Sequence, residues 1–290
     1  MKRLPIACLA ALAASCAGAA KAPRSPWAAS NPDWVEPFTP FRVYEEIYFV
    51  GTRGLASYLI ATPEGHFLID GGLPENAPLI AKNIETLGFD VRDVRILLNS
   101  HAHFDHSGGL AALKEISGAT MVASQGDRWA LESGLVPGAE DDPAMAAPPV
   151  KVDRVISDGE NLTLGGATLT ARLTPGHTKG CTSWTMTAGD SEILFFCSAT
   201  VAANRLAGPP QYEGIVADYR ATFERTKPSR PDILLANHPL FFDMEERRAR
   251  QVAGDANAFR DRESFPALMA RLEAAFEKAL AEHTAKAIEK

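Results

Sequence analysis

The chain has 290 residues, 46% of them hydrophobic and 22% charged, and a formal net charge of -7. This is ordinary globular composition with enough material for a sizeable core. The acidic balance argues against a nucleic-acid partner, which favours a basic face, and no apolar run reaches the roughly 20 residues that a membrane-spanning helix needs.

Lys2 and Arg3 precede an apolar run to Ala14 and then a stretch of small residues. That order is the pattern of a secretory signal peptide, assigned to residues 1–20, with Ala17-Gly18-Ala19 and Ala20-Lys21-Ala22 as candidate cleavage motifs. A periplasmic location is the expectation. Cys16, after Ala13-Ala14-Ser15, offers the alternative of a lipid anchor. Loss of residues 1–20 would remove Cys8 and Cys16 and leave Cys181 and Cys197, a pair that an oxidising compartment would join.

Residues 21–40 carry Pro23, Pro26, Trp27, Pro32, Trp34, Pro37 and Pro40 and predict an extended arm on the surface. Residues 41–290 are expected to form one domain. Strands are predicted over 41–50, 56–61 and 66–69, the last ending in the tight Asp70-Gly71-Gly72 loop. A helix follows over 75–87, where Leu79, Ile80, Ile84 and Leu87 share a face. Residues 94–98 read as a buried strand, 108–116 as a helix and 120–123 as a strand. Residues 134–150 form a long loop, a segment type often used as a lid, and with Trp129 could wall a groove. Strands are then predicted over 152–156, 162–164, 168–173, 182–187, 192–196 and 233–235. Helices are predicted over 218–225, 244–252 and from Ser264 onward. Two runs of mixed strands, each with helices, suggest an α/β architecture of two packed sheets with helices outside.

The segment His101-Ala102-His103-Phe104-Asp105-His106 places four potential metal ligands in six positions, directly after the strand at 94–98. Residues two apart on extended chain point the same way, so His101 and His103 can reach one ion. Asp105 and His106 lie where the chain turns and can be aimed at a second. Imidazole with carboxylate suits zinc. Two ions need further ligands, and His177 and His238 both follow strands in loops, where active-site residues collect. His66 and His283 read as surface histidines. A serine-hydrolase Ser-x-x-Lys and a metalloprotease His-Glu-x-x-His are both absent.

The 101–106 motif, Gly176-His177-Thr178 and the late His238, in this order, resemble the metallo-β-lactamase superfamily from about residue 41 to 245. The resemblance implies a four-layer αββα sandwich with two zinc ions. His101, His103 and His177 would hold the first, and Asp105, His106 and His238 the second. That second set is the mark of the third subclass of metallo-β-lactamases; the first subclass has Arg where His106 stands and the second has Asn where His101 stands. Lactonases and thioesterases of the superfamily are the alternative. They usually carry a bridging Asp after the third histidine, but no Asp lies between Ser198 and Ala217.

The activity implied is hydrolysis of the cyclic amide of β-lactam antibiotics by a hydroxide bridging the zincs. Asp105 would orient the hydroxide and pass a proton to the amide nitrogen. Ser198 and Thr200 are candidates to hydrogen-bond the substrate carboxylate, and Asp70 to orient a ligand histidine from behind. No protein partner is implied, and a monomer is expected. A three-residue turn at 188–190 would set position 181 opposite 197, which predicts a Cys181–Cys197 disulfide.

Overall fold

A computed structural model describes residues 25–289, so the expected signal peptide, Cys16 and the start of the arm lie outside the described residues. One sheet runs β1 (Phe41–Tyr44), β2 (Ile47–Phe49), β3 (Tyr58–Ile60), β4 (His66–Ile69), β5 (Val94–Leu98), β6 (Thr120–Ser124) and β7 (Arg154–Ile156) in spatial order. It is antiparallel from β1 to β4 and parallel from β4 to β7. The second sheet holds β8 (Asn161–Leu164), β9 (Ala167–Leu173), β10 (Thr182–Ala188), β11 (Ser191–Phe196) and β12 (Ile233–Ala236), in the order β12-β11-β10-β9-β8. Only β11 and β12 pair in parallel there. The helices are α1 (Pro26–Ser30), α2 (Ala77–Thr86), α3 (Phe104–Ser107), α4 (Leu110–Ser117), α5 (Gln125–Ser133), α6 (Ile215–Thr226), α7 (Met244–Val252) and α8 (Ser264–Ile288).

The strand period of two sorts side chains into separate layers. Phe49, Tyr58, Phe67 and Ile69 face the second sheet, where the Tyr58 and Phe195 rings meet edge to face at 5.3 Å. Their neighbours Tyr48, Leu59 and Leu68 face outward onto Ile80 and Ile84 of α2, Leu110 and Leu113 of α4 and Leu131 of α5. On the far side Phe196 points away from Phe195 and packs on Phe265 of α8 at 5.2 Å, beside Tyr219 and Phe223 of α6. The result is the predicted αββα sandwich. No helix among the described residues is long and apolar enough to cross a membrane.

Several expectations change. Residues 41–50 are two strands, β1 and β2, turned at Glu45-Glu46 with Glu45 at φ 42°. The arm is not simply extended: residues 26–30 and 32–35 are helical turns, and both tryptophans pack inward against the core domain. His66 is buried at the start of β4 against Phe89, with its Nδ1 accepting from the Thr62 amide. His283 Nδ1 accepts from the Leu206 amide. Neither is a free surface group. Trp129 is 51% exposed on α5 and is not among the residues that line the cavity over the histidine cluster.

The disulfide joins Cys181 to Cys197, with Cα atoms 5.9 Å apart. The register differs from expectation, because the β10–β11 turn has only Gly189 and Asp190 and pairs Ala188 with Ser191. Direct opposition of 181 and 197 is therefore lost by one residue. The bridge forms beyond the last paired residues, Trp184 and Phe195, where both chains leave the ladder and the strict register no longer applies.

Candidate metal centre

The C-terminal ends of β4, β5, β6, β9, β11 and β12 gather at one edge of the sandwich, the edge at which ligands bind in open α/β sheets. β5 leads into Asn99–His103, irregular chain bent at Ser100 and His103, and α3 then carries Asp105 and His106. This local switch from strand to helix separates the motif into two directions.

Six donor atoms converge in two triads. His101 Nε2 and His103 Nδ1 each lie 3.1 Å from His177 Nε2. Asp105 Oδ2 lies 3.2 Å from His106 Nε2 and 3.5 Å from His238 Nε2, and those two nitrogens are 3.2 Å apart. Three ligands on tetrahedral zinc at about 2.0–2.1 Å would be separated by about 3.3 Å. The tautomers fit as well. His177 Nδ1 donates to the Thr200 carbonyl at 2.7 Å, which leaves its Nε2 lone pair facing inward. His106 Nδ1 is buried without a hydrogen-bond partner and faces Asp70 Oδ2 at 3.8 Å.

The electrostatics suit cations. Burial, with the neighbouring imidazoles adding to it, holds His101 well below the usual histidine range. Burial and then His103 push His177 down to about 3, and burial lowers His103 to about 4. Metal ligands must be deprotonated, and these three already are at neutral pH. Burial alone would raise the Asp105 carboxyl, but His106 and His238 beside it hold it well below the usual carboxylate range.

Asp70 lies behind His106. It adopts φ 62°, a left-handed conformation that aspartate tolerates, and its Oδ1 accepts from the Ser100 amide at 2.7 Å and Asn99 Nδ2 at 3.2 Å. The next residue must be glycine: a Cβ on Gly71 would lie 2.7 Å from the Leu110 amide nitrogen at the start of α4. Thr200 lines the cavity above the triads, while Ser198 is buried behind it with the two hydroxyls 3.2 Å apart.

Sequence reasoning missed Asp127. It is buried after β6, its Oδ2 accepting from the Ala102 amide and the Thr178 hydroxyl at 2.9 Å and its Oδ1 from the Gly180 amide at 2.9 Å. One carboxylate thus fastens the His101–His103 segment to the His177 loop. Burial raises it to about 6, against the pull of those three bonds. Also missed were Trp27, which stacks on Phe104 at 5.1 Å and donates to the Ala144 carbonyl, and Trp34, 5.8 Å from the His238 ring. Two large aromatics in a proline-rich segment were the available signal, since such rings rarely stay fully in water. With Val136, Ala139 and Met145 of the predicted loop, the tryptophans wall a cavity of about 450 Å³ onto which His103, Asp105, His177 and His238 open.

A hydrolytic metal centre in an αββα sandwich is what fold and site together define. A family model for the metallo-beta-lactamase superfamily matches residues 50–238, and the chain belongs to that superfamily. Within it, the solved structures that the chain resembles include enzymes of the third subclass, B3. BJP-1, a subclass B3 metallo-β-lactamase of Bradyrhizobium japonicum, is 46% identical, with 88% of this chain and 98% of that one covered and a TM-score of 0.85. MEM-A1, a subclass B3 metallo-β-lactamase from a soil metagenome library, is 39% identical over 89% of this chain and 100% of that one, with a TM-score of 0.81. Among curated relatives, the hydroxyacylglutathione hydrolase of Methylococcus capsulatus is 32% identical over 39% of this chain. The match spans only 37% of that relative's length.

Proposed function

We propose that the chain is a dizinc β-lactamase. The observation that carries this is the pair of donor triads opening onto a mostly apolar cavity, in a chain 46% identical to a subclass B3 enzyme over nearly that enzyme's whole length. His101, His103 and His177 hold one ion, and Asp105, His106 and His238 the other. Zinc in these triads would supply Lewis acidity and bring the pKa of a bound water down to about 7. Asp105 accepts a hydrogen bond from the attacking water through its carboxylate and delivers the proton to the ring nitrogen as the amide opens. Thr200, braced by Ser198, receives the substrate carboxylate. Trp27, Trp34 and the 134–150 loop exclude water from the far wall. Asp70 and Asp127 position the ligands from behind.

On this reading residues 41–290 act as one catalytic domain, without a protein partner and as a monomer, in the periplasm. The leader-like residues 1–20 and the Cys181–Cys197 bridge support export. The test is turnover of a chromogenic cephalosporin by the purified chain, which chelator should abolish and serine-acylating inhibitors should leave intact. Good turnover of lactones or thioesters with none of any β-lactam would overturn the reading.

A further inference from the structure

His101 has two faces. Its Nε2 meets the first triad, while its Nδ1 points the other way, toward Cys197 and Asn237 behind the centre. Cys197 Sγ lies 3.7 Å from that Nδ1, and Cys181 Sγ is bonded to Cys197. One donor atom from each of His101, Cys181 and Cys197 lies within 4.8 Å of the others. All three residues are almost wholly buried. A fourth polar atom, an oxygen, is close: the Ser100 carbonyl is 3.0 Å from Cys197 Sγ. Asn237 lies on the same side, its amide nitrogen 3.3 Å from His101 Nδ1 and its Oδ1 buried without a hydrogen-bond partner. While the sulfurs are joined they have no charge to offer a cation.

We propose that opening this disulfide creates a third metal site, made of the Cys181 and Cys197 thiolates and His101 Nδ1, which takes one thiophilic divalent cation such as zinc. A dithiol reductant supplies the electrons: it transfers two hydrogens to the sulfur pair and leaves as its own cyclic disulfide. The two thiols then release two protons as the cation binds. Two thiolates with one imidazole are a preferred zinc donor set. The Cα separation of 5.9 Å leaves room for the sulfurs to part around an ion without moving the strands. Since His101 belongs to both sites, a cation on its Nδ1 competes for the imidazole with one on its Nε2. The bridge therefore does more than restrain the chain: it closes the rear of His101, so that metal loading before oxidation differs from loading after it.

The experiment titrates the full mature chain with Co²⁺ after reduction and, separately, with the bridge intact, and follows sulfur-to-cobalt charge-transfer absorption. Near-ultraviolet circular dichroism reports the fold. The expected result is no sulfur band in the bridged chain, and a band in the reduced chain that saturates at one sulfur-bound cobalt per chain. The band should vanish in a Cys181→Ala/Cys197→Ala double variant that still binds the other ions. Cys181→Ser, which cannot form the bridge, should show a weaker band from Cys197 alone. A folded reduced chain without the band overturns the proposal. So does a chain that unfolds whenever the bridge is open, in the reduced form and in Cys181→Ser alike, because the site needs a folded, unbridged chain.

Discussion

The two sheets contribute to the centre in unequal ways. The seven-stranded sheet supplies four of the six donors from one segment, His101 to His106, beyond β5. The five-stranded side supplies one each from two separate loops, His177 after β9 and His238 after β12. Each triad is therefore two neighbours in sequence plus one visitor from across the sandwich. The first side owes its geometry to covalent proximity and a strand-to-helix switch. The second owes it to hydrogen bonds and packing. His177 is fixed at both ends, its Nδ1 donating to Thr200 and its carbonyl accepting from Asn204 Nδ2 at 2.8 Å. His238 is held by the Trp34 and Phe241 rings, and its Nδ1 makes no hydrogen bond within the described residues.

The largest expected effect comes from removing a visitor. His177→Ala should cost one metal ion and lower kcat/KM for a β-lactam on the order of 1000-fold, equivalent to about 4 kcal/mol of transition-state stabilisation. Metal analysis after dialysis and steady-state kinetics check this. A variant that keeps its metal content and its rate would break the idea that each ion is stitched across the two sheets.

Next in size is the carboxylate that links the two sides. Asp127→Asn keeps the shape but cannot accept all three bonds from Ala102, Thr178 and Gly180. Metal affinity should weaken by about 10–100-fold, the usual cost of losing a group that orients ligands. Competition with a chromophoric chelator measures it, and unchanged affinity would place the fastening elsewhere. The same residue gives a pH test. Burial raises the folded-state pKa to about 6 from an ordinary value of 3.8. Because the folded pKa is the higher, the protonated carboxyl favours folding, and this contribution is present below about pH 4 and lost as pH rises through 6. The metal-free chain should therefore lose stability relative to its Asp127→Asn variant between those values. Denaturant melts at closely spaced pH would reveal a flat difference if the carboxylate were instead well solvated.

This inequality explains what the sequence could and could not disclose. His101 to His106 could be read directly, because four ligands in six positions need no knowledge of the fold. His177 and His238 were reachable as strand-end loop residues, since their role depends on position rather than on a partner. Asp127 was not, because its significance appears only when β6 pairs in parallel beside β5 and brings its carboxylate under two loops 51 and 25 residues away. The cysteine pair was legible from count alone, while its register was not: one residue in a turn reverses every facing position. The arm misled for a related reason. Prolines describe local backbone, and what Trp27 and Trp34 cover is decided by a cavity assembled from distant segments.

The smallest effect should come from that arm. Trp34 lies half-buried with its ring 5.8 Å from His238 and 6.5 Å from Phe104, and its carbonyl accepts from Asn76 Nδ2 at 2.9 Å. The arm's backbone is pinned independently, the Arg53 amide donating to the Glu36 carbonyl and the Gly54 amide to the Asp33 carbonyl. Trp34→Ala should therefore leave the arm in place and remove only the ring. An aromatic contact is worth about 0.5–1.5 kcal/mol beyond its buried area. With Phe241 then the one remaining aromatic wall beside the His106 and Asp105 contacts, the His238 ring gains freedom while His177 gains none. Kinetics should show about a 5-fold loss in kcat/KM, in line with about 1 kcal/mol. Chelator should then strip the Asp105–His106–His238 ion faster while release of the other is unchanged. The readout is two-phase metal release under excess chelator, followed with a zinc-sensitive dye. If both phases quicken equally in Trp34→Ala, the ring supports the whole cavity wall and His238 is no more loosely held than His177.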